Sequence, residues 1–262
     1  MKKSLTFYAI FFTIILTSQA QEDGSSKFSV SVSGGSTIPV GSFGNKDIVN
    51  AAIYTPEDVQ NRWIIGIDKS KSGFAEPGYF LNLELKYMLI QSFGLRLRTG
   101  YTFNNVYTEG ISQFLTTNFG EQQFEHDSYH IYHIAPGLGY EKRVGNFIFG
   151  TGVYSGIAFT SSPYYQSTLL YIPIDPPLIW ARDGDRQNLQ SLLLGAAVNI
   201  DYVSSSKINW GIELSYQSAN FDSSMRTRLI PGSSPNPEIN DVLKTSNLNI
   251  GLRLQYNFLR TR

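Results

Sequence analysis

The closing stretch of the chain, SNLNIGLRLQYNFLRTR (residues 246–262), puts Leu248, Ile250, Leu252, Leu254, Tyr256 and Phe258 at every second position. Asn247, Asn249, Gly251, Arg253, Gln255 and Asn257 lie between them. Successive side chains of a strand point to opposite faces, so the stretch describes a ribbon with one apolar and one polar side. A helix with its period of 3.6 would scatter both kinds of residue around its surface.

The same alternation recurs along the chain. Tyr79, Leu81, Leu83, Leu85, Tyr87 and Leu89 alternate with Asn82, Glu84 and Lys86. After a turn near residues 90–94, Leu95, Leu97, Tyr101 and Phe103 alternate with Arg96, Arg98, Gly100 and Thr102. Tyr132, Ile134, Leu138 and Tyr140 lead through a turn near 141–145 into Phe147, Phe149, Val153, Ile157 and Phe159. Leu192, Leu194, Ala196, Val198, Ile200 and Tyr202 lead through 203–208 into Trp210, Ile212, Leu214 and Tyr216. With an opening run of Phe28, Val30 and Val32 and the closing run, the pattern predicts eight strands. An even number suits a single-chain bacterial barrel.

The connections alternate in length. Three are the short turns just named, and four are long, near residues 43–78, 104–127, 160–188 and 220–245. Tight periplasmic turns with extended extracellular loops are the arrangement of an all-β, eight-stranded, antiparallel up-and-down transmembrane barrel. A soluble barrel turns its apolar face inward and rarely needs four long loops at one end.

The polar face decides which side meets lipid. It carries Glu84, Lys86, Arg96, Arg98, His133, Asp201, Glu213 and Arg253, interspersed with glycines such as Gly100, Gly137, Gly139, Gly152, Gly211 and Gly251. On a water-facing surface those glycines would only weaken the strands, whereas in a narrow lumen they leave room for long charged side chains. Opposite charges confined there can pair, which lowers the cost of burying them. A lumen network of Glu84, Lys86, Arg96, Arg98, Asp201, Glu213 and Arg253 is therefore expected, and with it a plugged barrel. Tyr87, Tyr140, Phe147, Phe149, Tyr202, Trp210, Tyr256 and Phe258 fall beside the short turns on the apolar face, as an interfacial girdle would.

Composition agrees with that class. The chain has 16 Tyr, 17 Phe and 23 Gly but no Cys, so no disulfide framework is available. Lys2 and Lys3, the apolar run Leu5 to Leu16 and the small-residue site Ser18-Gln19-Ala20 read as a cleaved signal peptide over residues 1–20, leaving 21–262 as the barrel domain. Without Lys2 and Lys3 the chain has 19 basic residues against 21 acidic ones, so charge gives no reason to expect a nucleic-acid partner.

Two segments resemble a known family. SVSGGSTIPVGSFG (residues 31–44) is similar to the first strand of the outer membrane β-barrel domain family common in Bacteroidetes, some members of which are called PorT-like. YHIYHIAPGLGYEKRVGNFIFGTGVYSGIAF (residues 129–159) is similar to that family's central hairpin. The resemblance implies a barrel in the bacterial outer membrane and carries no catalytic signature or cofactor. The last strand, ending in Phe258 with Leu259 to Arg262 beyond it, also resembles the signal read by the barrel-assembly machinery.

The outer rim carries the side chains most suited to chemistry. His126, Ser128, His130 and His133 cluster ahead of the fourth strand, with Glu125 and Asp127 beside them. A Ser–His pair with an orienting carboxylate would be an activated nucleophile, but neighbouring positions on a strand face opposite ways. The same geometry opposes a metal set of His126, His130 and Asp127. Asp183-Gly184-Asp185 lacks the spaced ligands of a calcium loop. In the third long loop, Tyr164, Tyr165, Tyr171 and Trp180 are candidate contact residues for a protein or surface ligand; a self-packed lid against Trp63 and Ile64 is the alternative. The expected role is non-enzymatic, structural or through loop contacts, with outer membrane lipid as the surroundings. A lipid A-modifying enzyme and a narrow solute channel are the alternatives.

Overall fold

The computed structural model describes residues 27–54, 64–90, 92–161, 165–169, 179–181, 187–205, 207–225 and 239–258. The expected signal peptide, Asp183 to Asp185, and the tail after Phe258 lie outside the described residues.

Eight long strands form a closed antiparallel barrel: β1 (Phe28–Pro39), β2 (Ala75–Met88), β3 (Phe93–Val106), β4 (Tyr129–Val144), β5 (Phe147–Ser161), β6 (Asn188–Val203), β7 (Ile208–Met225) and β8 (Ile239–Asn257). Each strand pairs with its neighbours in the chain, and β8 returns to β1 in a register running from Ser29↔Asn257 to Pro39↔Asn247. Closure leaves no row of unpaired backbone groups, which hydrocarbon would penalise.

Between the two ends, the alternation puts apolar side chains outside. Leu252 is 71% exposed and Leu192 64%, while Glu84 and Arg253 on the inner face are 3% and 2% exposed. That inversion of soluble-protein patterning is what a membrane-spanning barrel requires, with lipid as the outer solvent. Near the short turns the ring pairs Phe147–Tyr202, Tyr202–Trp210 and Phe28–Phe258 lie 5.1–5.8 Å apart at the barrel foot. Gly145 opens the β4–β5 turn with a φ of +60°, a conformation that a type II′ hairpin turn demands and other residues resist.

Two boundaries differ from the sequence expectation. The β7–β8 ladder continues to Met225↔Ile239, well into the segment expected to be a loop near 220–245. Above the membrane the period of two persists but its sense reverses: Asn220, Asp222 and Lys244 point outward, whereas Phe221 and Leu243 are buried inside. A criterion of apolar residues on the outer face ends these strands too early. Similarly β4 runs to Val144, so Glu141, expected in the turn, faces the lumen.

The long connections carry structure of their own. The first contains α1 (Ile48–Ala51), capped by the Asp47 carboxylate accepting from the Asn50 amide, and a two-stranded ribbon of Ala52–Tyr54 with Ile64–Ile67. The second contains α2 (Thr108–Phe119), whose Ile111 and Leu115, one turn apart, are both buried. Gln122–His126 then pairs with Tyr165–Leu169, which pairs with Ile179–Ala181.

These elements cover the mouth. Phe43 and Phe74 from the first loop, Ile111 and Leu115 from α2, and Val106, Tyr129, Phe221 and Leu243 from the strand ends belong to one buried apolar cluster. Phe43 meets the Tyr129 ring edge-on at 5.0 Å, and the Tyr129 hydroxyl donates to the Gly73 carbonyl at 2.7 Å. Phe74 adopts a φ of 53°, a left-handed conformation costly for a bulky residue. Its amide bond to the Asn45 carbonyl (3.0 Å) and its buried ring hold it there.

Candidate functional sites in the lumen and at the outer rim

All seven residues of the expected lumen network point inward, and the structure brings them into one set of contacts. Glu84 is the hub. Its Oε1 accepts from Arg253 Nη2 at 3.1 Å and Arg96 Nη1 at 3.4 Å, and its Oε2 accepts from the Tyr154 hydroxyl at 2.6 Å. Arg98 donates to Glu213, which also accepts from the Ser33 hydroxyl at 3.2 Å. Arg253 reaches Glu213 at 3.5 Å and Asp201 at 3.7 Å, and Asn199 donates to Asp201 at 2.6 Å.

Two members of this network escaped the sequence reading. Glu141 pairs with Lys86 at 2.6 Å and with Arg96 at 3.0 Å, at the foot of the lumen. Counting it, Lys86, Arg96, Arg98 and Arg253 face Glu84, Glu141, Asp201 and Glu213, so the cluster is charge-balanced. Its parity with Gly139 and Gly137 was the available signal. Tyr154 is the other, and it stood out as the lone large polar-tipped ring among Gly150, Gly152, Gly156 and Ala158 on the inner face of β5.

Glycine creates the space the cations occupy. A methyl group on Gly139 would sit 1.9 Å from Arg96 Nε, so the guanidinium fills the volume that the missing side chain leaves. Above the charged zone, Ala135, Ala158, Leu193 and Ala197 line the wall, and the apolar cover of the mouth follows. The described lumen thus holds ion pairs below and buried apolar packing towards the mouth.

The histidines are dispersed. His133 lies inside, opposite Gly100 on β3. His130 lies outside, with its Nδ1 2.7 Å from the Tyr101 hydroxyl. His126 belongs to the small loop sheet, its Nδ1 2.5 Å from the Asp127 carbonyl. The Ser128 hydroxyl donates to Asn105 Oδ1 at 3.2 Å, and Glu125 accepts from Gln123 at 2.9 Å. These contacts engage Ser128 and His130 with different partners. Among the described residues no three His, Asp or Glu converge as a metal set.

A groove of about 1020 Å³ opens at the rim over β4, β5 and β6, bounded by His126, Ser128, His130, Tyr132, Phe159 and Gln190. Of the candidate loop residues, Tyr165 pairs with His126 and Trp180 with Ser167 in the small sheet, while Tyr164 and Tyr171 lie outside the described residues.

No protein-family model and no curated protein matches the chain. Among solved structures, it is similar to Neisserial surface protein A (12% identity, 90% of this chain and 100% of that one, TM-score 0.40). It is also similar to the outer membrane protein OprG from Pseudomonas aeruginosa (12%, 90% and 99%, 0.45). The outer membrane protease OmpT from Escherichia coli is a third (10%, 92% and 100%, 0.46). No residue role is carried over from these likenesses.

Proposed function

We propose that the chain is a non-enzymatic barrel of the bacterial outer membrane, with a closed lumen and a structural or interaction role exercised from its long-loop end. The observation that carries this reading is the Glu84 hub, which ties Arg96, Arg253 and Tyr154 together across the lumen. A permeant solute would have to break such pairs one by one, at about 3–5 kcal/mol for each buried charge left unpaired. The apolar cover over the mouth adds a second obstruction.

In this reading the short turns face the periplasm, the chain reaches the membrane through a cleaved signal peptide, and the barrel-assembly machinery receives the last strand. The likeness of residues 31–44 and 129–159 to the Bacteroidetes barrel family belongs to the same proposal. Planar-bilayer recording of the refolded protein tests it. Absent or very small currents are expected, and a steady pore of porin size would overturn it.

A further inference from the structure

The outer wall is not uniform around its circumference. Near the long-loop end a transverse row of cross-strand neighbours runs Leu81, Tyr101, Tyr132, Phe159 and Gln190 from β2 to β6. Next to it towards the loops, Tyr79 pairs with Phe103 and Phe103 with His130, while Ser161 pairs with Asn188. The rings form a continuous patch: Tyr79 stacks on Phe103 at 4.8 Å and Tyr101 lies 4.9 Å from Tyr132. On β7 and β8 the outward positions towards this end carry Asn220 and Lys244 instead.

The rim groove sits where this aromatic patch gives way to polar residues. Tyr132 and Phe159 are 54% and 41% exposed and form its apolar wall. Ser128, Ser161, Asn188 and Gln190 supply uncharged donors and acceptors, and the Tyr101 hydroxyl fixes the His130 imidazole beside them. The lining contains the carboxylate of Asp127 but no Lys or Arg, which disfavours a phosphate ligand. Flat rings next to neutral hydrogen-bonding groups suit a sugar, whose C–H face packs on the rings while its hydroxyls meet amides, hydroxyls and a carboxylate. A volume of about 1020 Å³ is at the upper end for a ligand site and exceeds what one sugar ring needs.

We propose that this groove binds the saccharide headgroup of a glycolipid in the surrounding leaflet. The lipid-borne source follows from position. Tyr132 and Phe159 continue directly into the outward belt through Ile134 and Ile157, so a sugar held at the rim would have its acyl chains lying along β4 and β5. The proposal goes beyond the closed-lumen reading and does not depend on it, since a conducting barrel would present the same outer wall.

The test uses the full mature chain in phosphatidylcholine nanodiscs doped with equal amounts of digalactosyldiacylglycerol and phosphatidylglycerol of matched acyl chains. Lipids retained after release into detergent are counted by native mass spectrometry. Digalactosyldiacylglycerol is expected to be retained over phosphatidylglycerol, and Gln190→Ala and Phe159→Leu are each expected to lower that preference roughly fivefold, the worth of about one hydrogen bond or ring contact. Tyr216→Leu on the far wall should leave it unchanged. Equal retention of the two lipids by the wild type overturns the proposal without reference to any variant. So does a preference that survives both groove substitutions in folded protein, or binding of free digalactose with no enrichment of the lipid.

Discussion

Arg253 Nη2 and Glu84 Oε1 lie 3.1 Å apart although their strands, β8 and β2, are separated in the wall by β1. Backbone ladders join only adjacent strands, so they fix the barrel's circumference without fixing its cross-section. The Glu84 carboxylate fixes the latter, because its other partners arrive from β3 (Arg96) and β5 (Tyr154). The interior acts as a polar core in which charge pairing replaces apolar packing.

Removing the hub should therefore be costly. Glu84→Ala leaves Arg96 and Arg253 short of a carboxylate in a buried site, and a loss of about 3–5 kcal/mol is expected. Urea unfolding in lipid vesicles, followed by tryptophan fluorescence, measures it. A change within roughly 0.5 kcal/mol, the range of an ordinary surface substitution, would show that the hub contributes nothing.

The fit between Gly139 and Arg96 can be isolated by a double-mutant cycle. Gly139→Ala places a methyl group 1.9 Å from Arg96 Nε, and the displaced side chain should cost about 1–3 kcal/mol. In an Arg96→Ala background the obstruction is gone, so the same substitution should be nearly free. A coupling of about 1 kcal/mol or more is the expected outcome, and additive effects would mean that the glycine serves some other purpose.

Much of this arrangement was legible in the sequence wherever lipid enforces the pattern. Leu248 to Phe258 alternate with Asn247 to Asn257 because each outward position must be apolar, and the closing pairing with β1 then follows from the need for no open edge. Legibility ended at the membrane boundary. Phe221 and Leu243 follow the same period with reversed polarity, because the outer solvent there is water and the interior is the apolar cover. Glu141 was hidden for a related reason: charged residues are ordinary in turns, and only strand parity reveals that this one faces inward. Only one side of the rim groove was legible, as the cluster from His126 to His130, since His130, Phe159 and Gln190 meet only through register across three strands.

The position of the apolar belt can be measured with one residue type at two heights. Leu252 lies opposite Gly34, midway along β1, and opposite Ile212 on β7, and is 71% exposed. Leu252→Arg should cost about 2–4 kcal/mol, as arginine does at a bilayer midplane, and Asn220→Arg on the outer extension of β7 only about 0–1 kcal/mol. Both are read from unfolding in vesicles. Equal costs at the two sites would place the belt elsewhere or remove it.

The cover over the mouth makes a separable prediction through Tyr129. Its ring packs edge-on against Phe43 at 5.0 Å, and its hydroxyl holds the Gly73 carbonyl at 2.7 Å, so one side chain pins two points of the first loop. Tyr129→Phe keeps the ring and deletes the bond, leaving a buried carbonyl short of a donor at a cost of about 1–3 kcal/mol. The loss should be local, because the β-ladders below do not depend on Gly73. Hydrogen exchange is the appropriate readout: amides of Ala75 and Phe74, which bond the Phe43 and Asn45 carbonyls, should exchange faster, while those of β7 and β8 should not change. Tyr129→Ala removes the ring as well and should cost about 3–5 kcal/mol, as a large-to-small change in a packed core does. Uniform acceleration across all eight strands in Tyr129→Phe would mean that the cover and the barrel wall unfold as one unit.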